Sequence, residues 1–511
     1  MKTKQVLVQN ILIALPFFHL FIINRFQIRV SETVKLAIFF IIYIVLFNIS
    51  RFIIDKYFPF KNSKYFAAII FYLVFNYSNI TIFIYFEAYD FLKLIPNYSF
   101  IIFTLLMVAL LIFSTKIYFE KLFEFATLSY FVLILLIFFN SFNLENEETN
   151  QINISFQKNM ILNETPDIYF VIYDGLPSLS TMEKFYDYDI SMFDRLLINN
   201  NLKNYKLATS SFGRTTYTMS SLFNMQYIFE DGNIQFIDRA SLSRSYQTGN
   251  SRFENILRNN NYTIYKYGLS FACNKEKNDI CINENIEGYE EKDSVYIDLI
   301  MRTPVKIFVE KGFLKLNNNL FFGCGVDCSD PPLLKIFENI DINDKPKAVF
   351  LHFMDTHGPY LLGNNCELLE EPIYDLPKTN MKSYKESLNC AYTKIEKLIG
   401  NLDLENDVIF IQSDHGPNFE KMELTDIEEL SSDQILNRYS VFSVSNLENF
   451  CENKNLNLDE TVNTFIFFIN CFGEQSLPTL KVKNFLAFGK INSSVYDITN
   501  LVQDNISINY K

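Results

Sequence analysis

The sequence predicts a chain in two parts. An N-terminal bundle of five transmembrane helices occupies residues 1–142, a linker follows over 143–164, and residues 165–511 form an extracytoplasmic α/β domain with a largely parallel sheet flanked by helices. Three observations predict this. Long apolar runs crowd into the first part, all eight cysteines lie beyond it, and the remainder alternates short apolar runs ending in polar groups with helical patterns.

Taken in order, the apolar runs are Val6 to Ile23, Val34 to Ile54, Phe66 to Phe86, Tyr98 to Phe113 and Phe123 to Phe139. Each has about the length a helix needs to cross roughly 30 Å of hydrocarbon. No small-residue cleavage site follows the first run, so it reads as an anchor that stays on the chain. With the N-terminus inside, Lys2, Lys4, Arg51, Lys56, Lys61, Lys64, Lys116 and Lys121 fall on the cytoplasmic side, against Arg25, Arg29, Lys35 and Lys93 outside. The positive-inside rule favours that orientation, and an odd number of spans then exports everything after Phe142. His19, within the first run, reads as a packed residue, and Glu87 and Asp90 as a solvated outer loop. Charges within the runs are scarce, which argues against an ion pathway.

The cysteines agree with export. Neighbours in sequence pair as 273 with 281, 324 with 328, 366 with 390 and 451 with 471, each closing a short loop of the kind an oxidising compartment allows. A formal net charge of -13 argues against non-specific nucleic-acid binding.

Beyond the Asn- and Glu-rich linker, Ile168 to Tyr173 reads as a strand ending at Asp174-Gly175. Ala348 to Met354 is a strand carrying His352 near its end, and Val408 to Ile411 one that opens into Ser413-Asp414-His415-Gly416. Ser251 to Asn259, Asp298 to Lys315 and Met381 to Leu402 read as helices. Ligands of such sheets collect beyond the carboxyl ends of the strands, where Asp174, His352, His357, Asp414 and His415 all fall. The chain has only four histidines, and three of them are in these segments. An adjacent Asp and His at a strand end can share one metal ion, with Gly416 letting the backbone turn away. A polar run leads into a helix from about Tyr217. A Thr215 or Thr216 hydroxyl at that N-terminus either caps the helix or sits where backbone N–H groups favour an anion, as a nucleophile would.

In this order, Asp174-Gly175, the Thr215 segment, His352-x4-His357-Gly358-Pro359-Tyr360 and Ser413-Asp414-His415-Gly416 resemble the alkaline-phosphatase superfamily. The likeness is to its sulfatase-like branch of membrane-anchored phosphoethanolamine and phosphoglycerol transferases. It spans about Pro166 to Leu480 and extends to Asn437-Arg438-Tyr439 and Val462-Asn463-Thr464-Phe465.

The resemblance implies that Asp174, Thr215, Asp414 and His415 bind a divalent metal, Zn2+ or Mn2+, and that His352 and His357 hydrogen-bond the phosphoryl group or protonate a leaving oxygen. The family's spacing places Leu222-Phe223 at its apolar pair, Thr218 at its Ser/Thr and Thr215 at the nucleophile, with Thr216 the rival. Sulfate ester cleavage is disfavoured, because Thr215-Thr216-Tyr217-Thr218-Met219 stands where sulfatases carry Cys or Ser followed by x-Pro-Ser-Arg. No histidine follows His415, so the second metal site of some transferases is not implied.

The expected activity is metal-dependent transfer of phosphoethanolamine or phosphoglycerol from a membrane phospholipid to a cell-surface or lipid-linked glycan, through a phosphothreonine-type intermediate. The alternatives are a membrane-anchored phosphodiesterase or other ester hydrolase, and a non-catalytic binding domain, which the intact set of Asp174, Thr215, Asp414 and His415 argues against. The expected location is the inner (cytoplasmic) membrane, multi-pass, with the catalytic domain periplasmic.

Overall fold

The computed structural model describes residues 9–11, 13–14, 30–57, 132, 160–229, 240–268, 273–282, 333–341, 343, 346–358, 360–373, 381–417, 427–451, 456–487 and 495–510. The chain divides into two units, Met1–Ile152 with Lys292–Gly323, and Asn153–Glu291 with Cys324–Lys511.

In the first unit, helix α1 (Val30–Tyr57) covers the second apolar run. Asn48 Nδ2 donates to Asn10 Oδ1 at 3.1 Å, and Arg51 Nη1 to Gln9 Oε1 at 3.4 Å. Among the described residues no helix is long and apolar enough to cross a membrane. The stretch of α1 after residue 40 ends in Arg51, Asp55 and Lys56. The five-span bundle is thus not shown, and four of its five runs lie wholly or mostly outside the described residues, as do His19, Glu87, Asp90, the expected helix Asp298 to Lys315 and the Cys324–Cys328 pair.

The second unit runs β1 (Asp167–Tyr173), α2 (Leu179–Tyr186), α3 (Ser191–Asn199), β2 (Lys203–Asn204), α4 (Thr215–Asn224), α5 (Ala240–Gln247), α6 (Arg252–Asn259), β3 (Thr263–Tyr267) and β4 (Ile280–Cys281). It continues with α7 (Leu333–Glu338), β5 (Lys347–Phe353), β6 (Tyr360–Leu362), β7 (Leu368–Ile373), α8 (Lys382–Ile399), β8 (Asp407–Gln412), α9 (Ser432–Tyr439), β9 (Ser443–Ser445), α10 (Thr464–Phe472), β10 (Phe485–Ala487), β11 (Val495–Asp497) and α11 (Thr499–Tyr510). Seven strands form the main sheet in the order β2-β9-β8-β1-β5-β3-β4. The pairs β8-β1, β1-β5, β5-β3 and β3-β4 are parallel, while β9 runs antiparallel to both β8 and β2. A largely parallel sheet was expected, and this is one.

A parallel sheet covered on both faces needs strands that are apolar throughout, and β1 and β8 are buried at every position. Side chains alternate between the faces. Ile168, Phe170 and Ile172 join Phe223 of α4, Phe253 of α6 and Phe465 of α10 on one side. Tyr169, Val171 and Tyr173 join Met182 of α2, Phe193 of α3 and Leu388 of α8 on the other. The first side centres on Phe465, whose ring stacks on Phe253 at 3.8 Å and meets Phe170 at 4.8 Å and Phe223 at 4.9 Å. Two of the helices the sequence announced, Ser251 to Asn259 and Met381 to Leu402, are present with trimmed ends. Ser251 caps α6 in a capping box with Glu254, and Lys382–Ile399 fills most of the expected Met381 to Leu402.

Three disulfides staple this unit, Cys273–Cys281, Cys366–Cys390 and Cys451–Cys471, the pairs expected from sequence proximity. Two buried lysines are paired as their desolvation requires. Lys347 Nζ lies 2.5 Å from Asp167 Oδ2, and Lys266 is held between Glu254 and Asp279.

Candidate active site

Because β1, β5 and β8 run parallel and in register, with Ile172 beside both His352 and Gln412, their carboxyl ends open at one edge of the sheet. There the chain delivers Asp174 after β1, His352 near the end of β5, and Asp414 and His415 after β8. Helix α4 brings the fifth side chain. It starts at Thr215, two residues before the expected Tyr217, and Arg214 occupies the cap position without a side-chain cap bond. Thr215 is therefore not the cap. Its hydroxyl turns to the strand ends, where Oγ1 donates to Asp174 Oδ2 at 3.2 Å and lies 3.2 Å from His415 Nε2.

Asp174, Asp414 and His415 are all buried and present one ligand atom each within 4.8 Å of one another. Asp174 Oδ1 and Asp414 Oδ2 accept no hydrogen bond. Two buried carboxylate oxygens left without donors are costly unless a cation satisfies them, so the donor set of two carboxylates, an imidazole and a hydroxyl fits a divalent metal ion. The remaining oxygens are occupied. Asp414 Oδ1 accepts from the N–H of His415 at 2.9 Å and of Gly175 at 3.3 Å. Gly175 makes that bond from a left-handed backbone, φ 75°, that a side chain would strain.

The histidines divide into different positions. His352 is buried with Nε2 3.3 Å from Asp174 Oδ2, while His357 has a side chain 42% exposed and Nε2 3.9 Å from Asp174 Oδ1. Burial alone would raise the Asp174 carboxyl, but His357, a hydrogen bond to His352 and His415 outweigh it and hold the group below the usual carboxylate range. His415 is pushed down, first by burial and then by Arg438, against the pull of Asp414 and Asp174. Neutral imidazole is the form that ligates a metal.

Other residues were missed by sequence reasoning because their roles run through backbone atoms. Ser210 Oγ donates to the Asp414 carbonyl at 2.6 Å, Thr356 Oγ1 to the Asp174 carbonyl at 2.6 Å, and Tyr384 to the Gly175 carbonyl at 3.0 Å. Arg438, in a segment singled out by resemblance but given no role, reaches the Gly416 carbonyl. Gly416 itself does not bend the chain through a left-handed conformation. It is glycine because an added Cβ would overlap the Asn437 carbonyl oxygen.

A model of the sulfatase family matches residues 166–460. The chain belongs to the sulfatase family. That match bears out the family expected from the ordered motifs. No curated protein matches the chain in sequence.

Among solved structures, the integral membrane lipooligosaccharide phosphoethanolamine transferase A from Neisseria meningitidis is similar at 12% identity, covering 86% of this chain and 88% of its own, with a TM-score of 0.38. The C-terminal periplasmic domain of EcEptC from Escherichia coli in complex with Zn is similar at 13% identity, over 66% of this chain and 93% of its own, at 0.38. The lipoteichoic acid synthase LtaP from Listeria monocytogenes is similar at 9% identity, over 70% and 94%, at 0.35.

Proposed function

We propose that this sulfatase-family chain is a membrane-anchored transferase that moves phosphoethanolamine or phosphoglycerol from a phospholipid to a cell-surface or lipid-linked glycan by way of an ester on Thr215. The observation that carries the reading is the Thr215 hydroxyl at the start of α4, 3.2 Å from both Asp174 Oδ2 and His415 Nε2, beside two carboxylate oxygens that accept no hydrogen bond. Asp174, Asp414, His415 and the Thr215 oxygen would hold the cation, Zn2+ in this reading. When bound it supplies Lewis-acid polarisation of the phosphoryl oxygens and lowers the pKa of the hydroxyl.

The residues themselves do the following. Thr215 Oγ1 loses its proton to solvent and attacks phosphorus, forming the Thr–O–P bond. The P–O bond to diacylglycerol breaks, and His357, the more exposed histidine, protonates the departing oxygen. In the second half a glycan hydroxyl gives its proton to His357 and attacks phosphorus, and Oγ1 leaves with its proton restored. His352 holds the orientation of the Asp174 carboxylate through Oδ2. Backbone N–H groups at the start of α4 favour the anionic phosphoryl group. Exposed apolar side chains on α1, such as Ile41 and Phe52 at 60% and 65%, support a tether beside the lipid donor.

The test is transfer from a headgroup-labelled phospholipid by full-length protein in lipid. T215A is expected to lose transfer by about three orders of magnitude or more, as enzymes that lose their nucleophile do, with T216A retaining it. Full activity in T215A contradicts the assignment.

A further inference from the structure

We propose that Arg438 is a positioning residue that clamps the nucleophile loop to the metal-ligand loop and so fixes the distance between Thr215 and His415. This rests on the metal reading above. Arg438 sits in the last turn of α9, 9% exposed, and its guanidinium spans two loops that are distant in sequence. Nη1 donates to the Gly416 carbonyl at 2.6 Å and lies 3.1 Å from His415 Nδ1, while Nη2 donates to the carbonyl of Gly213, two residues before Thr215.

The backbone completes the clamp, because the Gly416 N–H donates to the Arg438 carbonyl at 2.9 Å. The turn of α9 that carries Arg438 is itself held, since the neighbouring Asn437 accepts a hydrogen bond from the buried Tyr186 hydroxyl.

The guanidinium carries its donors on separate nitrogens of a rigid planar fork, so Nη1 and Nη2 serve two carbonyls on separate loops at a fixed spacing that the single nitrogen of a lysine does not reproduce. The clamp also orients the ligand. The Gly416 carbonyl lies 3.0 Å from His415 Nδ1, and a ligating histidine whose other ring nitrogen donates to a carbonyl presents Nε2 to the metal. Nε2 is the nitrogen that faces Asp174, Asp414 and Thr215 here. Removing Arg438 therefore releases two residues, Thr215 and His415, while leaving both side chains chemically unchanged.

The experiment measures zinc affinity of the full-length chain by competition with a chromophoric chelator, for wild type, R438A and R438K, with and without millimolar methylguanidinium. R438A is expected to bind zinc about 10- to 100-fold more weakly, the usual effect of losing a group that orients a ligand. R438K is expected to lose affinity too, and methylguanidinium to restore R438A in part, which a merely structural defect would not allow.

Should R438A fail to fold, R438K carries the test. Zinc affinity within threefold of wild type in R438K overturns the clamp, as does the same result in a folded R438A. A wild type that binds no zinc overturns the metal reading and the clamp together. Tight zinc binding without lipid transfer overturns only the proposed activity.

Discussion

At the scale of single residues, the site is built by burial. Asp174, Asp414 and His415 are almost wholly removed from water, and Asp174 Oδ1 and Asp414 Oδ2 are left without donors. An arrangement so costly in the empty protein stabilises the fold strongly once a cation fills it. Zinc at about a hundred times its dissociation constant is therefore expected to add about 2.7 kcal/mol to stability. Thermal unfolding with and without a chelator reads this as a fall in Tm, and D414A should show no such response. An unchanged midpoint in wild type would mean that the carboxylates hold no ion.

The sequence made these residues legible, since acids and histidines at strand ends stand out in a chain with four histidines. It left Thr215 and Thr216 as rivals, because the choice depends on where α4 begins, and helix ends are set by packing more than by residue type. Arg438 carried no signal of its own, since it joins the two loops through the carbonyls of Gly213 and Gly416.

Among the elements, the central strands were the most readable because burial on both faces demands unbroken apolar runs, and Ile168 to Tyr173 and Val408 to Ile411 are such runs. Each extends by a residue or so into a charged one. Asp407 begins β8 with its carboxylate buried beside Asp167 and Lys347.

Burial pushes the Asp407 carboxyl up to about 6, with Asp167 and Asp403 adding to the rise and the Asp403 N–H and Lys347 opposing it. The folded protein thus retains a proton that the unfolded chain, at an ordinary 3.8, releases. Stability contributed by this group is present at low pH and lost as pH rises through that window. D407N removes the loss while its side-chain oxygen still accepts from the Asp403 N–H. It should be more stable than wild type at pH 7 by on the order of 1–2 kcal/mol, with the difference shrinking below about pH 6 and vanishing below about pH 4. Denaturant midpoints across pH check this, and a pH-independent difference would contradict it.

At the scale of the whole molecule, the division of composition was visible at once, with apolar runs first and cysteines after. Three disulfides in the second unit fit that division, and among the described residues no cysteine is free. Cys451–Cys471 closes a separation of 20 residues between the segment after β9 and α10, which carries Phe465 at the aromatic centre. Replacing both cysteines by serine should lower stability by about 3 kcal/mol, read from chemical unfolding under non-reducing conditions. A midpoint equal to wild type would show that the bridge adds nothing. Sequence proximity sufficed for these pairs because each loop is short. It could not order the sheet, since β5, β1 and β8 become neighbours only through long crossovers.

The proposed transfer requires Thr215 to carry the transferred group, which mass spectrometry of tryptic peptides from the protein incubated with zinc and mixed phospholipids reads directly. The expected result is a phospho-head-group adduct on the peptide containing Thr215, absent from T215A and retained in T216A, with a mass that distinguishes phosphoethanolamine from phosphoglycerol. An unmodified peptide in protein that turns over phospholipid, or an adduct that persists in T215A, would contradict it.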